Sequence, residues 1–232
     1  MDIRGKVVLV TGANRGLGKA FVTALLEGGA AKVYAGARNP SSVNIPGSTP
    51  IALDITDPAS VQRAAEQASD VSVVINNAGF LKYGSLLAED SVENLQQHLD
   101  VNTFGTLRVS RAFAPILAKQ GGGALINVLS VLSWLSPPGA GGYSASKSAQ
   151  WGLTNGLRGE LREQGTLVIG VHPAYIDTDM VADVQAPKST PQEVVALTLQ
   201  ALNEDREEVL VSDTSHGVKA SLSSDSPVYL NR

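Results

Sequence analysis

Short apolar runs alternate with segments of helical periodicity along most of the chain. The apolar runs are KVVLVTG, AKVYAGAR, VSVVINNAG, GALINVLS and TLVIGVHP. Each run is apolar at consecutive positions instead of at every second position, which is typical of strands buried on both faces of a parallel sheet. The alternation of strands and helices predicts an open α/β fold in which right-handed helical crossovers join parallel strands.

Two parts of this pattern indicate where elements begin and end. The second and third strands are predicted at residues 32–37 and 50–53, and the polar connection NPSSVNIPGSTP between them leaves no room for a long helix. The longest helical stretch covers residues 91–119, and we expect an interruption near Asn102 and Gly105.

The C-terminal part contains a helix start signal. Thr190, Pro191 and Glu193 supply a capping hydroxyl, a proline at the first helical position and a carboxylate three residues after the cap. This helix is expected to lead to a last strand at EVLVS, residues 208–212. Residues 223–232 are expected to form a loose tail.

Composition narrows the fold and the partners. The 232 residues are 43% hydrophobic and 17% charged, so we expect residues 1–232 to form a single domain around one core. The net charge is -4 and there is no run of lysine or arginine, so nucleic acid is not an expected partner. Cysteine is absent, which excludes disulfides and thiolate chemistry.

Several classes of site and location are disfavoured as well. His98, His172 and His216 have no metal-ligand spacing, so we predict no metal site. The GxSxG elbow of serine hydrolases does not occur. No apolar run approaches the ~18 residues of a membrane span, and the N-terminal residues do not resemble a signal peptide. We therefore expect a cytoplasmic protein that does not bind membranes.

A glycine loop follows the first predicted strand. In TGANRGLG, residues 11–18, glycines at 12, 16 and 18 would allow a tight turn and a close approach of a pyrophosphate to a helix N-terminus. A plain structural turn is the alternative. At the end of the second strand the chain has Ala37 and Arg38 instead of a carboxylate, and Arg15 lies in the loop. These cations favour NADP(H) over NAD(H), although two arginines can also be ordinary solvated residues.

The stretch YSASK places a tyrosine and a lysine one helical turn apart. On a helix, Lys147 lies on the same face as Tyr143, where its charge would favour the phenolate. Lowering the pKa of a phenol from ~10 to about 7 corresponds to roughly 4 kcal/mol. The pair is therefore either an acid and base or an ordinary packed tyrosine beside a lysine.

These motifs occur together and in order. With TGANRGLG, with NNAG at residues 76–79, and with Ser130 standing 13 positions before Tyr143, the chain resembles the compact, single-domain branch of the short-chain dehydrogenase/reductases. The resemblance covers nearly the whole chain. It implies a doubly wound Rossmann-type sheet of about seven parallel strands with helices on both faces. The same resemblance implies that one domain binds the dinucleotide and carries the catalytic residues. NAD(P)(H) would lie across the carboxyl ends of the strands, and hydride would be transferred to or from a carbonyl.

The resemblance also implies roles for matching positions. Tyr143 would be the acid or base, Ser130 would orient the substrate oxygen, and Lys147 would bind the nicotinamide ribose and, with Asn102 and water, form a proton path. The positions expected to contact the cofactor are Gly12, Asn14, Arg15, Gly16, Leu17, Gly18, Ala37, Arg38, Asp54, Ile55, Asn76, Ala78, Gly79, Tyr143, Lys147, Pro173, Ile176 and Thr178.

One position departs from the family pattern, and one segment is short. The family usually has Pro-Gly where this chain has Pro173 and Ala174, and the added Cβ affects the backbone beside the nicotinamide. The segment between Thr178 and Thr190 shows no clear helix, whereas many relatives have a longer lid there. An open, accepting site is therefore expected.

The expected substrate is an apolar ketone, aldehyde or alcohol. The residues expected to contact it are Ser130, Leu132, Trp134, Tyr143 and Tyr175, with Phe80, Tyr83 and Leu135 nearby; the aromatic and aliphatic ones among them can equally be packing or interface residues. The sequence thus predicts an NADP(H)-dependent oxidoreductase, with a cofactor-binding redox sensor or scaffold as the alternative. The family resemblance implies a homodimer or homotetramer.

Overall fold

Seven parallel strands form one sheet in the computed structural model, which describes residues 1–230. The strands are β1 (Val7–Thr11), β2 (Lys32–Ala37), β3 (Thr49–Ala52), β4 (Val73–Asn76), β5 (Ala124–Val128), β6 (Leu167–His172) and β7 (Glu208–Leu210). Their order in the sheet is β3-β2-β1-β4-β5-β6-β7. The winding direction reverses between β1 and β4, and ligands of such sheets bind at the carboxyl ends of the strands beside this reversal.

Seven helices cover the two faces of the sheet in the described part of the chain. They are α1 (Gly16–Glu27), α2 (Pro58–Gln67), α3 (Ser91–His98), α4 (Thr106–Lys119), α5 (Gly141–Glu160), α6 (Pro191–Asn203) and α7 (Asp213–Ser221). One apolar cluster joins α1 and α6 to the sheet, and a second joins α2, α4 and α5 to the opposite face. The predicted doubly wound α/β fold is confirmed.

The predicted interruption of the long helical stretch is a π-helical segment. Leu99–Gly105 adopts this wider helix and connects α3 to α4 without a break in direction. A Cβ on Gly105 would lie 2.6 Å from Cδ1 of Ile55, so any other residue here would force the Ile55 side chain to move. The segment carries Asn102 beneath the carboxyl ends of the strands, where the candidate site lies.

The expected boundaries hold with small differences. The third strand begins at Thr49, one residue earlier than predicted. The capping box at Thr190 and Glu193 is present. Helix α7, capped by the Ser212 side chain, was not predicted from the sequence. Within the predicted tail, Val228–Leu230 forms one exposed 3₁₀ turn, and residues 231–232 lie outside the described part of the chain.

Candidate active site

The glycine loop is held against the end of β4. The Thr11 hydroxyl accepts hydrogen bonds from the backbone N–H groups of Asn77 and Ala78, each at 3.0 Å. The Asn77 side chain donates in return to the carbonyl oxygens of Thr11 (2.9 Å) and Gly12 (3.2 Å). The carboxyl ends of β1 and β4 are thereby joined at the point where the sheet reverses its winding.

The glycines of this loop are required by close contacts. Gly12 has φ +64°, and a Cβ on it would lie 2.9 Å from Cα of Ala78. Gly16 also has positive φ, and a Cβ there would lie 3.3 Å from the Thr178 side chain. Arg15, the N-cap of α1, makes no side-chain capping bond in the described structure, so the first N–H groups of α1 remain available to an anion. The loop therefore fits a dinucleotide pyrophosphate.

Two arginines and one aspartate lie where the adenosine end would bind. Ala37 is buried at the end of β2, and the Arg38 that follows it is exposed. The Asp54 carboxylate accepts hydrogen bonds from Thr56, which, together with the charge of Arg38, lower the pKa of Asp54. Arg15 is largely exposed and contacts the Asp179 carboxylate at 3.8 Å. This corner has cations available to a phosphate.

Two predicted asparagines use their side chains inside the protein. Asn76 donates to Asn127 Oδ1 (2.9 Å) and Ser110 Oγ (3.2 Å), so its amide joins β4 to β5 and α4. Asn102 accepts from the Phe80 N–H (2.8 Å) and donates to the Phe80 carbonyl (2.9 Å) and to Ser146 Oγ (2.9 Å). The Asn102 side chain therefore holds the loop after β4 against α5 and makes no hydrogen bond to Lys147.

Ser130, Tyr143 and Lys147 come together above β5. Ser130 follows β5, and the other two lie on the first turns of α5. Lys147 is 4% exposed, and its ammonium donates to the Val128 carbonyl (2.8 Å) and to Gln150 Oε1 (2.7 Å). Its Nζ lies 5.7 Å from the centre of the Tyr143 ring. Gln150, which the sequence analysis missed, is one turn after Lys147.

The pKa values of this pair do not follow the simple expectation. Burial raises the pKa of Tyr143 to about 12, the Ser130 hydroxyl opposes this shift, and Tyr83 adds to it. Burial also lowers the pKa of Lys147 to about 7. In the protein alone, desolvation of the phenolate outweighs the attraction of an ammonium that is bonded elsewhere, and the lowering of the phenol pKa by Lys147 together with an oxidised nicotinamide stays a prediction.

The candidate substrate residues divide into two groups. Tyr83 is 51% exposed, Tyr175 is partly exposed, and Tyr83 is close enough to both Tyr143 and Tyr175 for their charges to interact. Trp134 is buried and packs with Leu132 and Leu135 in an apolar cluster with α7. Packing, the alternative role in the sequence analysis, describes Trp134 better than direct exposure to a substrate.

His172 connects Ser130 to the last strand and helix. Its Nδ1 lies 3.4 Å from the Ser130 carbonyl oxygen, and its Nε2 lies 3.4 Å from Oε1 of Glu208, which also pairs with Lys219. The imidazole is stacked on Trp134 with ring centres 4.0 Å apart. Burial lowers the pKa of His172 to about 3, so the ring is neutral at physiological pH.

The segment after β6 is short and closed at its base. Pro173 accepts a hydrogen bond from the Val131 N–H at 2.8 Å. Tyr175 and Asp177 exchange backbone bonds with Ser189, each at 2.9 Å, and between them a single 3₁₀ turn covers Asp179–Val181. Ala174 has no positive φ, because in residues 1–230 only Asp205 among the non-glycine residues does. The alanine in place of the usual glycine therefore causes no backbone strain.

Ile55, Ile176 and Thr178 complete the set of predicted cofactor contacts. Ile55 is buried, and Ile176 and Thr178 are partly exposed. Together with Asn14, Ala78 and Gly79, they lie along the carboxyl ends of the strands, on the loops that follow β1, β3, β4 and β6, and Leu17 lies in the first turn of α1. The structure thus brings the predicted site residues to one edge of the sheet.

Within residues 1–230, no helix is both long and apolar enough to cross a membrane, and no cluster of side chains has an arrangement suited to a metal ion.

Comparison with known proteins places this arrangement in a family. A family model described as short chain dehydrogenase matches residues 6–189. The chain is 35% identical over 199 residues to the short chain dehydrogenase PigC of Monascus ruber, covering 78% of this chain and 65% of that protein. It covers only 44% of the length of the short chain dehydrogenase TazN of Aspergillus terreus. The chain therefore spans less than two thirds of these curated relatives.

Two solved structures add the cofactor context. A short chain dehydrogenase from Burkholderia cenocepacia in complex with NADP is 41% identical, has a TM-score of 0.93, and aligns over 97% of this chain and 95% of its own. A short chain dehydrogenase/reductase from Burkholderia phymatum in complex with NAD is 27% identical, has a TM-score of 0.82, and aligns over 95% of each chain. The same fold thus binds either nicotinamide cofactor.

Proposed function

The chain belongs to the short-chain dehydrogenase family, and we propose that it is an NADP(H)-dependent oxidoreductase that interconverts a ketone or aldehyde and an alcohol. The observation that carries the proposal is the position of the partly exposed Tyr143 phenol beside the Ser130 hydroxyl and the Lys147 ammonium. These groups lie at the same edge of the sheet as the glycine loop. Residues 1–232 would form one dinucleotide-binding and catalytic domain.

The cofactor would be held by residues already described. The free N–H groups at the start of α1 suit the pyrophosphate, and the loops of Ala78 and Ile176 lie beside the path of the dinucleotide. When bound, a reduced nicotinamide supplies the hydride. Lys147, at the floor of the site, would donate to the ribose hydroxyls in place of its present partner Gln150.

NADP(H) is the cofactor that the adenosine corner favours. A carboxylate at the end of β2 would bind a ribose 2′-hydroxyl and repel a 2′-phosphate, but Ala37 stands there and Arg38 follows. The guanidinium groups of Arg38 and Arg15 suit a phosphate. The 41% identical structure with NADP supports this preference, and the 27% identical structure with NAD shows that the family does not impose it.

Tyr143 would act as the proton donor during reduction. A phenol with a pKa of about 12 is fully protonated at neutral pH, so it can donate when negative charge develops on the carbonyl oxygen. The nearby Lys147 ammonium would favour the phenolate that remains. Ser130 would donate its single hydroxyl hydrogen to the substrate oxygen and orient it. Alcohol oxidation is the reverse and needs the phenolate from the start.

The substrate pocket would be apolar and open. Tyr83 and Tyr175 border the phenol, and the cluster of Trp134, Leu132 and Leu135 supports the loop that carries Ser130. The segment after β6 contains only one short turn and provides little cover. Uncharged ketones or aldehydes with aromatic or branched aliphatic groups are the proposed substrates, and a cytoplasmic location stays a prediction.

We further propose a homodimer or homotetramer formed through α4 and α5. Phe104 and Leu107, before and on α4, are exposed, and side chains added at Gly152 or Gly156 of α5 would meet no atom within 4 Å. Such open, small positions allow close helix contact between subunits. Light scattering of the purified protein would give the assembly, and a mass corresponding to one chain would contradict the proposal.

The function is tested by following NADPH oxidation with a panel of apolar ketones and aldehydes. Turnover by the native protein that falls at least about 10³-fold in Tyr143→Phe, with NADPH affinity unchanged, is the expected result. NADH is compared under the same conditions. NADPH binding without turnover across the panel would instead support the redox sensor or scaffold.

A further inference from the structure

We propose that His98, which the proposed reaction does not use directly, is a positioning residue that holds both the Tyr143 ring and the loop at residues 80–84 in their working positions. This inference rests on the proposed function for its kinetic consequences. The loop carries Tyr83 to the edge of the site, so its placement affects where a substrate sits.

The hydrogen bonds of His98 define a single tautomer. The side chain is fully buried at the end of α3. Its Nε2 lies 3.1 Å from the Lys82 N–H and can only accept that bond, so Nδ1 carries the proton and donates to the Asn94 carbonyl at 2.8 Å. Both ring nitrogens are therefore used by the neutral imidazole. A second proton would place a donor against the Lys82 N–H.

The ring of His98 touches the two aromatic residues that border the reaction. Its centre is 4.9 Å from that of Phe80 and 6.1 Å from that of Tyr143, and the contact with Tyr143 is edge to face. The residue before Tyr143 is a glycine, and a Cβ on Gly142 would lie 3.2 Å from His98 Nδ1. The imidazole therefore fills the space against α5 at the point where Tyr143 begins its side chain.

Four hydrogen bonds fix the loop, and only the one to His98 involves a titratable side chain. Asn102 bonds both backbone groups of Phe80, His98 accepts from Lys82, and Gly84 donates to the Gly139 carbonyl at 2.8 Å. Tyr83 lies between the bonds made by Lys82 and Gly84. The backbone at Lys82 therefore depends on an imidazole that must stay neutral.

The surroundings of His98 keep it neutral. Burial is the main cause that lowers the pKa of His98, the nearby Lys82 ammonium adds to it, and the Asn94 carbonyl opposes it. That ammonium is itself paired with Asp90 at 2.8 Å. From α5 the Tyr143 phenol faces the ring. Below the pKa of His98, protonation would break the bond to Lys82 and release the loop.

Two substitutions of His98 distinguish its role as a hydrogen-bond acceptor for the Lys82 N–H from its role in aromatic packing. His98→Phe keeps an aromatic ring but removes the acceptor, whereas His98→Gln offers an amide oxygen to the Lys82 N–H without a group that titrates. His216, exposed on α7, provides the matched controls His216→Phe and His216→Gln. The first readout needs no turnover: hydrogen exchange of the backbone amide of Lys82, measured at pH 7.5 without substrate.

We expect the backbone amide of Lys82 to exchange faster in His98→Phe than in the native protein and to keep near-native protection in His98→Gln. Unchanged exchange in His98→Phe would overturn it, whether or not a carbonyl substrate has been found. This measurement does not depend on turnover. Failure of the proposed function would be recognised separately, because the native protein would then bind NADPH but reduce no carbonyl compound. If His98→Phe does not fold, exchange at Lys82 in His98→Gln decides, and loss of protection there overturns the proposal.

Steady-state kinetics test whether His98 affects the position of Tyr143 and of the loop at residues 80–84. We expect kcat for carbonyl reduction to fall about tenfold in His98→Phe and to recover most of this loss in His98→Gln, with KM for NADPH changed less than about twofold in both. Native kcat/KM should decline on the acid side, and the decline should be absent in His98→Gln. A merely structural role would lower NADPH affinity and kcat together without changing the pH profile, and that result would overturn the proposal.

Discussion

Gly18, in the first turn of α1, packs directly against the backbone of Gly12 at the end of β1. A Cβ on Gly18 would overlap the Gly12 carbonyl oxygen and would also lie 2.6 Å from the Asn77 side-chain nitrogen. The same nitrogen donates to Thr11 and Gly12. Helix α1 can therefore approach the end of β1 only because position 18 has no side chain.

Gly18→Ala is expected to damage the cofactor loop more than the fold. The added methyl group must displace backbone, which costs about 1–3 kcal/mol of unfolding free energy and moves the free N–H groups of α1 away from a pyrophosphate. NADPH affinity, measured by the fluorescence of the bound dinucleotide, should fall at least about tenfold. Gly217→Ala in α7, where a Cβ also meets no atom within 4 Å, is the control and should leave affinity unchanged.

Arg38→Glu is expected to move the cofactor preference toward NAD(H). The change removes a cation and places a carboxylate after β2, where it would repel a 2′-phosphate. Loss of one charge-assisted contact, worth about 2–3 kcal/mol, predicts a fall of roughly 30-fold or more in the ratio of NADPH to NADH kcat/KM. Arg63→Glu on α2 is the control. An unchanged ratio in Arg38→Glu would show that the 2′-phosphate binds elsewhere.

Tyr143 should not ionise at neutral pH in the protein alone. Burial raises its pKa to about 12, so the difference between the ultraviolet titrations of the native protein and Tyr143→Phe should show no phenolate from this residue below about pH 10. Addition of NADP⁺ should lower the midpoint, because the positive nicotinamide favours the phenolate. A midpoint near 7 without cofactor would contradict the assigned direction.

His172 is expected to make the stability of the protein depend on pH. Its pKa is about 3 when folded and near 6.5 when unfolded, so its contribution is fully present above about pH 6.5 and is lost as the pH falls toward 3. The slope from this group approaches about 1.4 kcal/mol per pH unit within that window. Urea unfolding measured between pH 7 and 4 gives the free energy of unfolding at each pH. As the pH falls, this free energy should decrease more steeply in the native protein than in His172→Phe, by up to that slope.

Trp134→Phe tests whether the slope belongs to the imidazole. It keeps an aromatic partner for His172 and leaves the ring able to titrate. The pH dependence of its unfolding free energy should therefore follow the native protein, even if the absolute value is lower. If His172→Phe and the native protein show parallel curves, the imidazole is not the group that titrates.

The sequence predicted the fold well and located the motifs of the candidate site, because both depend on local patterns. Buried strands, the capping box at Thr190 and the spacing of Ser130, Tyr143 and Lys147 are visible within short windows. The roles of side chains that meet across the sheet were not visible. Asn76 and Asn102 find their partners on β5, α5 and the loop after β4, and no local pattern records those meetings.

The pKa shifts and the contacts of individual side chains could not be predicted from the sequence either. The helical spacing of Tyr143 and Lys147 was predicted, but the direction of their pKa shifts was not, because burial and not the charge pair is the larger cause. The sequence left open whether Trp134 contacts substrate or packs in the protein, and it packs on His172. His98 carried no motif, and its position between Lys82 and Tyr143 follows only from the way α3 meets α5.

The π-helical segment Leu99–Gly105 has a consequence for the phase of the helices around it. A π turn contains about one residue more than an α turn, and each residue of an α-helix turns the chain by about 100°. If all seven residues of this segment wound as a regular α-helix, the extra residue would rotate α3 relative to α4 by about a quarter turn. The wider π turn takes up that residue, so α3 and α4 keep their relative phase on either side of Asn102.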